Sequence, residues 1–315
     1  MMSGFETLAV VLHQPQALTL DRLPITPPGA GDVVVEVAHS GISTGTERLL
    51  WSGRMPTFPG MGYPLVPGYE SVGRVVEVGA DAGLHAGDRV FVPGSNCFGP
   101  VRGLFGGAAR HVVLPGARAV AIDPALHEDG VLLALAATAL HALRVAAVPV
   151  DLIVGHGALG RLLARLAVLE GAAPTVWETE PRRREGARGY EVIDPTQDER
   201  RDRRCVIDVS GDAAVLDTLI ARLAPQGRIV LAGFYEQPLS FRFAPAFMRE
   251  AAVLVAAQWQ PQDLRDVSRW AGEGRLDLDG LITHRCPASE APAAYATAFA
   301  DPDCLKMVLD WRACP

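Results

Sequence analysis

Asp151-Leu-Ile-Val-Gly-His-Gly-Ala-Leu-Gly160, followed by the apolar run from Arg161 to Leu169, decides how this chain is read. Gly155, Gly157 and Gly160 stand at the spacing G-x-G-x-x-G, directly after an apolar strand and directly before a helical run. In such a unit the first glycine makes the tight turn, the second lets backbone approach a pyrophosphate, and the third lets helix and strand pack closely. The helix that follows adds unpaired N–H groups and the positive end of its dipole, which together suit a phosphate, so Ala158 and Leu159 between the glycines are expected to bind the cofactor too. A glycine triplet alone is weak. Here a second strand, Pro174-Thr-Val-Trp-Glu178, ends in an acid eighteen residues past Gly160, where a carboxylate can hold a ribose 2′-hydroxyl. These residues predict a dinucleotide site, and Glu178 favours NAD over NADP.

Working outward, the 315 residues leave room for two domains. An apolar content of 49% with 21% charged residues describes an ordinary globular protein. The formal net charge of −7 offers nothing to nucleic acid. Lys306 is the sole lysine among 29 basic residues, a bias of composition and not a binding signal. Five scattered cysteines with no C-x-x-C pair fit a reducing cytoplasm, and argue against a disulfide framework or a zinc knuckle. The polar, acidic opening is not read as a signal peptide. No apolar run approaches the ~20 residues that a membrane span requires, so no transmembrane segment is expected.

Residues 1 to about 120 read as short strands broken by glycine and proline, a pattern that gives way by Ala134. Val33–Ala38, Gly73–Gly79 and Asp88–Val92 are β-branched runs, separated by turns such as Pro27-Pro-Gly-Ala-Gly31. Afterwards the pattern changes. An alanine-rich stretch from Leu132 to Leu143 suits a buried helix, and then strands and helices alternate over 151–155, 161–170, 174–178, 204–209, 212–223 and 227–232. Alternation of this kind implies a parallel sheet with right-handed crossovers. Cys205–Gly211 and Gly227–Gly233 are strands whose carboxyl ends should face the ligand. The expected fold is therefore α/β, a β-rich domain ahead of a doubly wound one.

The motifs along the whole length resemble the medium-chain dehydrogenase/reductase superfamily, which joins a GroES-like catalytic domain to a Rossmann domain. Val66-Pro-Gly-Tyr-Glu-Ser-Val-Gly73 is similar to the P-G-H-E-x-x-G motif of that family, and Val75–Gly79 and Gly87–Val90 follow in order. Gly41-Ile-Ser-Thr-Gly-Thr-Glu47 resembles the segment carrying its first zinc-binding cysteine; Gly280–Arg285 and Ala291–Phe299 resemble the return into the catalytic domain. The resemblance implies a catalytic domain of residues 1–124 completed by 284–315, and a Rossmann domain of residues 125–283. It also exposes departures. Zinc-dependent members use Cys, His and a third Cys or Glu. Here Ser43 stands where the cysteine is expected and Tyr69 where the histidine is expected, and Leu132–Ala136 offers no third ligand. Hydroxyl and phenol are poor zinc ligands. No catalytic zinc is expected.

His39–Glu47, Leu50–Glu70 and Asp301–Asp310 resemble, within the superfamily, members that act in bacteriochlorophyll biosynthesis. That implies a (bacterio)chlorophyllide substrate whose 3-(1-hydroxyethyl) group is oxidised to 3-acetyl with NAD, and a homodimer is possible by analogy. With zinc missing, Tyr69 is the first candidate to take the hydroxyl proton, with Glu70 and Glu47 next and Ser43 completing a relay. Trp51, Met55, Phe58, Met61 and Tyr63, with Phe98 and Phe105, would offer a flat macrocycle a stacking surface. Thr138 is expected near the nicotinamide, Ser210, Gly211, Gly233 and Phe234 at its edge, and His156 toward solvent or the phosphates. Arg182-Arg183-Arg184 complicates the choice of NAD, since an arginine there could receive a 2′-phosphate. Two other readings stay open: a zinc-free NADPH-dependent quinone or enone reductase, and a non-catalytic tetrapyrrole carrier.

Overall fold

The computed structural model describes residues 6–314. They divide into two compact units, one formed by the chain up to Ala134 and again from Leu281, the other by Leu135–Gly280. Residues 125–134, assigned to the second domain on sequence, fall with the first. The reason is packing: the 3-10 segment Pro124–Leu132 lies on the strands Asp32–Ile42, Ser71–Val78 and Arg89–Val92. A side chain at Gly130 would collide with Val72 and Ile122.

In the first unit the β-branched runs build a seven-stranded sheet around Asp32–Ile42, which pairs antiparallel with Ser71–Val78, His111–Pro115 and Met307–Asp310. A four-stranded sheet runs in the order Ala17–Pro24, Glu6–Gln14, Leu65–Val66, Arg102–Gly103. Between them lies a core of valines with Phe98, Tyr295 and Trp311. The C-terminal strand Met307–Asp310 thus places Lys306 against the end of Asp32–Ile42, although 264 residues separate Lys306 from Ile42.

The second unit has one parallel six-stranded sheet, in the order Glu191–Ile193, Thr175–Trp177, Leu152–Val154, Arg203–Asp208, Leu223–Leu231, Ala252–Val255. Its central strands are apolar on both faces, as burial under helices demands. The helix after the glycine loop is Ala158–Leu169 and starts three residues before the expected Arg161. The helical run Pro124–Ala146 is long and apolar enough to cross a bilayer, against expectation, but two thirds of its most apolar window is buried inside the protein. A break at His127 (φ 43°) interrupts that run.

Candidate functional site

The glycine loop of the second unit has the geometry its spacing predicts. Gly155 sits at φ 103°, which disfavours any side chain. A Cβ on Gly160 would stand 1.9 Å from the Gly155 carbonyl oxygen, so helix and strand touch there. Gly157 caps the helix with no side-chain hydrogen bond and has open space before it. The first-turn N–H groups of Ala158 and Leu159 therefore have no side-chain acceptor, the condition for receiving an anion.

Glu178 ends the next strand and is 9% exposed. The His156 N–H donates to its Oε2 (3.0 Å) and the Glu180 N–H to its Oε1 (2.9 Å), so backbone fixes the carboxylate. His156 departs from its expected place. Its ring is fully buried, with Nδ1 2.5 Å from the Arg183 carbonyl oxygen and Nε2 2.8 Å from the Tyr190 hydroxyl. Burial lowers its pKa to about 4, so it stays neutral and braces the loop. Arg184 is equally committed. It donates to the carbonyls of Glu178 (2.8 Å) and Thr179 (2.9 Å) and pairs with Asp194.

At the carboxyl ends of Arg203–Asp208 and Leu223–Leu231, the Ser210–Gly211 and Gly233–Phe234 turns meet. The Ser210 N–H donates to Asp208 Oδ1 (2.9 Å) and the Gly233 N–H to the Asp208 carbonyl (3.1 Å). Phe234 is 47% exposed. The sequence reading missed Asp208 and Tyr235. Asp208 is fully buried and accepts the Tyr235 hydroxyl at 2.7 Å, and burial raises its pKa. Thr138 lies half-buried on the helix Leu133–Ala146.

The first unit holds the other cluster. Ser43 follows the strand Asp32–Ile42, and Tyr69 precedes Ser71–Val78. Their side chains meet, with Ser43 Oγ 2.7 Å from the Tyr69 hydroxyl and Thr46 Oγ1 3.4 Å away. Phe105 packs edge-on to Tyr69, ring centres 5.1 Å apart. Burial, then the charge of Glu70, pushes the Tyr69 phenol above its ordinary range. The phenol therefore stays protonated.

The two acids also differ from expectation. Glu70 is fully buried and ion-paired with Lys306 at 2.6 Å, while Lys306 also donates to the Ile42 carbonyl (3.1 Å). With no exposed surface, Glu70 is removed as a direct base. Glu47 is 1% exposed, accepting the Ser43 N–H (3.1 Å) and the Tyr295 hydroxyl (2.7 Å). Burial raises its pKa to about 7. It grips the backbone of the Ser43 turn, not the Ser43 hydroxyl. Lys306 and Tyr295 went unnoticed on sequence.

These donors do not fit a zinc ion. Ser43 and Tyr69 are neutral hydroxyls bonded to each other, and the neighbouring carboxylate is already neutralised by a lysine cation that would repel a second one. Among the described residues no group of three His, Cys, Asp or Glu could hold a metal.

The aromatic segment is partly self-supporting. Trp51, Phe58, Met61 and Tyr63 are half-buried on a small core of Leu12, Leu49, Leu50, Met55, Leu65 and Leu104. Tyr63 donates to the Leu50 carbonyl (2.5 Å), and Trp51 lies 5.6 Å from Phe299. Met55 is part of that core, and Phe98 has no exposed surface in the main core. Neither presents a face to a ligand, which corrects both expectations.

Residues 29–124 match the alcohol dehydrogenase GroES-like domain. The chain is 59% identical over 314 residues to 2-desacetyl-2-hydroxyethyl bacteriochlorophyllide A dehydrogenase of Cereibacter sphaeroides, covering 98% of this chain and 99% of that protein. The protein of the same name from Rhodobacter capsulatus is 56% identical over 311 residues, with 98% and 99% covered. A putative zinc-binding dehydrogenase of Sinorhizobium meliloti solved with NADP shares the fold (TM-score 0.82, 22% identity, 98% and 100% covered). So does an alcohol dehydrogenase of Escherichia coli solved with NADH (TM-score 0.83, 21% identity, 98% and 100% covered).

Proposed function

The chain belongs to the medium-chain dehydrogenase/reductase superfamily and, within it, to the 2-desacetyl-2-hydroxyethyl bacteriochlorophyllide A dehydrogenases, and on that premise we propose that it oxidises the 3-(1-hydroxyethyl) group of a bacteriochlorophyllide to 3-acetyl, with NAD and without zinc. The Ser43–Tyr69 hydroxyl pair carries the reading, because the family resemblance would put metal ligands at these two positions and two mutually bonded neutral hydroxyls stand there instead.

Gly155, Gly157, Ala158, Leu159 and Gly160 would hold the pyrophosphate, with Ser210, Gly211, Gly233, Phe234 and Thr138 toward the nicotinamide. Bound there, NAD supplies the hydride acceptor. The choice of NAD rests on Glu178, a carboxylate fixed by two backbone N–H groups that would repel a 2′-phosphate. Arg184, already bonded to Asp194 and two carbonyls, offers such a phosphate little.

As the carbinol carbon is oxidised, its hydroxyl must lose a proton. The alcohol proton moves to the Tyr69 oxygen while the proton of Tyr69 moves to Ser43 Oγ, and Ser43 releases one to solvent. No phenolate forms, in keeping with a phenol held protonated by its surroundings. Glu47 fixes the Ser43 turn; Glu70, held by Lys306, fixes the strand start beside Tyr69. Five free cysteines support a reducing compartment such as the cytoplasm.

The test is anaerobic incubation of metal-analysed protein with NAD and 3-(1-hydroxyethyl) bacteriochlorophyllide a, following NADH and pigment spectra together, with and without a strong chelator. Equal NADH formation and a red-shifted pigment band in both samples are expected. Loss of turnover with the chelator would overturn the zinc-free chemistry. A static pigment spectrum would overturn the substrate, and pigment binding without NADH would point to a carrier.

A further inference from the structure

Acids are unevenly spread in this chain. It carries 36 of them, yet none lies between Glu47 and Glu70 and none between Asp88 and Asp123. Parallel pairing of Leu65–Val66 with Arg102–Gly103 brings these two acid-free stretches side by side. The surface so formed is aromatic and basic, with Trp51, Phe58, Met61 and Tyr63 half-buried and Arg48, Arg54 and Arg102 exposed.

Arg102 is the placed member of that set. Its guanidinium lies flat against the Gly62 backbone, where a Cβ would come within 3.0–3.2 Å of Cζ, Nη1 and Nε. Nη1 reaches the Tyr63 carbonyl at 3.3 Å. Among the described residues no carboxylate pairs with it. Tyr63 and Met61, flanking Gly62, stand on the small core beneath. An apolar shelf therefore ends at a positioned, uncompensated guanidinium, which is the recognition chemistry for a flat apolar body bearing a carboxylate.

We infer that Arg102 binds the free propionate carboxylate of the bacteriochlorophyllide, while Phe58, Met61 and Tyr63 support the macrocycle, so that the protein selects the free acid over its esters. This rests on the substrate proposed above.

The experiment compares the free-acid pigment with its methyl ester, on wild type, Arg102→Gln and Arg102→Lys. A hydrogen bond between two charged groups corresponds to about a 10- to 100-fold preference. Wild type should favour the acid over the ester by that factor in kcat/KM, Arg102→Gln should handle the two alike, and Arg102→Lys should recover part of the preference. Kd values for both pigments, read from pigment fluorescence, should show the same pattern. An acid-to-ester ratio near one in wild type, or unchanged in Arg102→Gln, would overturn the assignment. The binding arm separates the two proposals: acid-selective binding with no turnover leaves Arg102 in place and removes the reaction.

Discussion

Replacing Glu47 with glutamine should remove one source of pH dependence from stability. The Glu47 carboxyl is buried, and its pKa is raised from the usual 4.5 to about 7, first by desolvation and against the hydrogen bond from Tyr295. Between those two values the folded protein keeps a proton that the unfolded chain has released, so stability falls as pH rises. The contribution is complete below about pH 4.5 and gone above pH 7. At ~1.4 kcal/mol per pH unit the loss is about 3 kcal/mol. Glutamine keeps the volume and removes the titration, and like the protonated acid it offers Ser43 one carbonyl acceptor and can donate to the Tyr295 oxygen. The variant should thus match wild type near pH 4.5 and be about 3 kcal/mol more stable at pH 8. Urea unfolding of both proteins, side by side across this range at constant ionic strength, measures the difference while groups common to both cancel. A difference that stays constant with pH would refute the reasoning.

Three further outcomes are expected. Tyr69→Phe should lower kcat by about 10²- to 10⁴-fold, the usual effect of removing a proton-transfer group, with the Kd for NAD measured alongside and unmoved. Glu178→Ser should raise kcat/KM with NADP and lower it with NAD, since the fixed carboxylate is lost; unchanged preference in steady-state kinetics would place selectivity elsewhere. Lys306→Met should destabilise the fold by about 3–5 kcal/mol by leaving Glu70 buried and unpaired, and adding Glu70→Gln should restore much of the loss in a denaturation series.

What the sequence discloses depends on how local the cause is. The glycine loop was legible because each glycine answers a local backbone demand, at Gly155 a positive φ and at Gly160 an adjoining carbonyl. Glu178 was legible because its place follows from the length of one strand–helix–strand unit. The polar cluster was only half legible. Ser43 and Tyr69 could be named as occupants of ligand positions, but the partners of Glu70 and Glu47 are 236 and 248 residues away and arrive by strand pairing and helix return. Burial then set the state of each group: it keeps the Tyr69 phenol protonated and withdraws Glu70 from any ligand. Phe98 shows the same limit, since an aromatic just before a Gly-Pro turn reads alike on a shelf or in a core. His156 is a third case. Its position in the loop was plain, while the bonds to Arg183 and Tyr190 that turn it inward depend on later segments.

Lys306 has one more consequence. Since it is the sole lysine and is 1% exposed, every other basic side chain that could carry surface cationic charge is a guanidinium or an imidazole. Reagents that acylate amines therefore find no side-chain target on the folded surface. The ε-amine becomes reachable only when the barrel around Ile42 and Glu70 opens. Acylation of this one residue, followed by mass, would count those openings and give the protein a built-in clock for the breathing of its first unit.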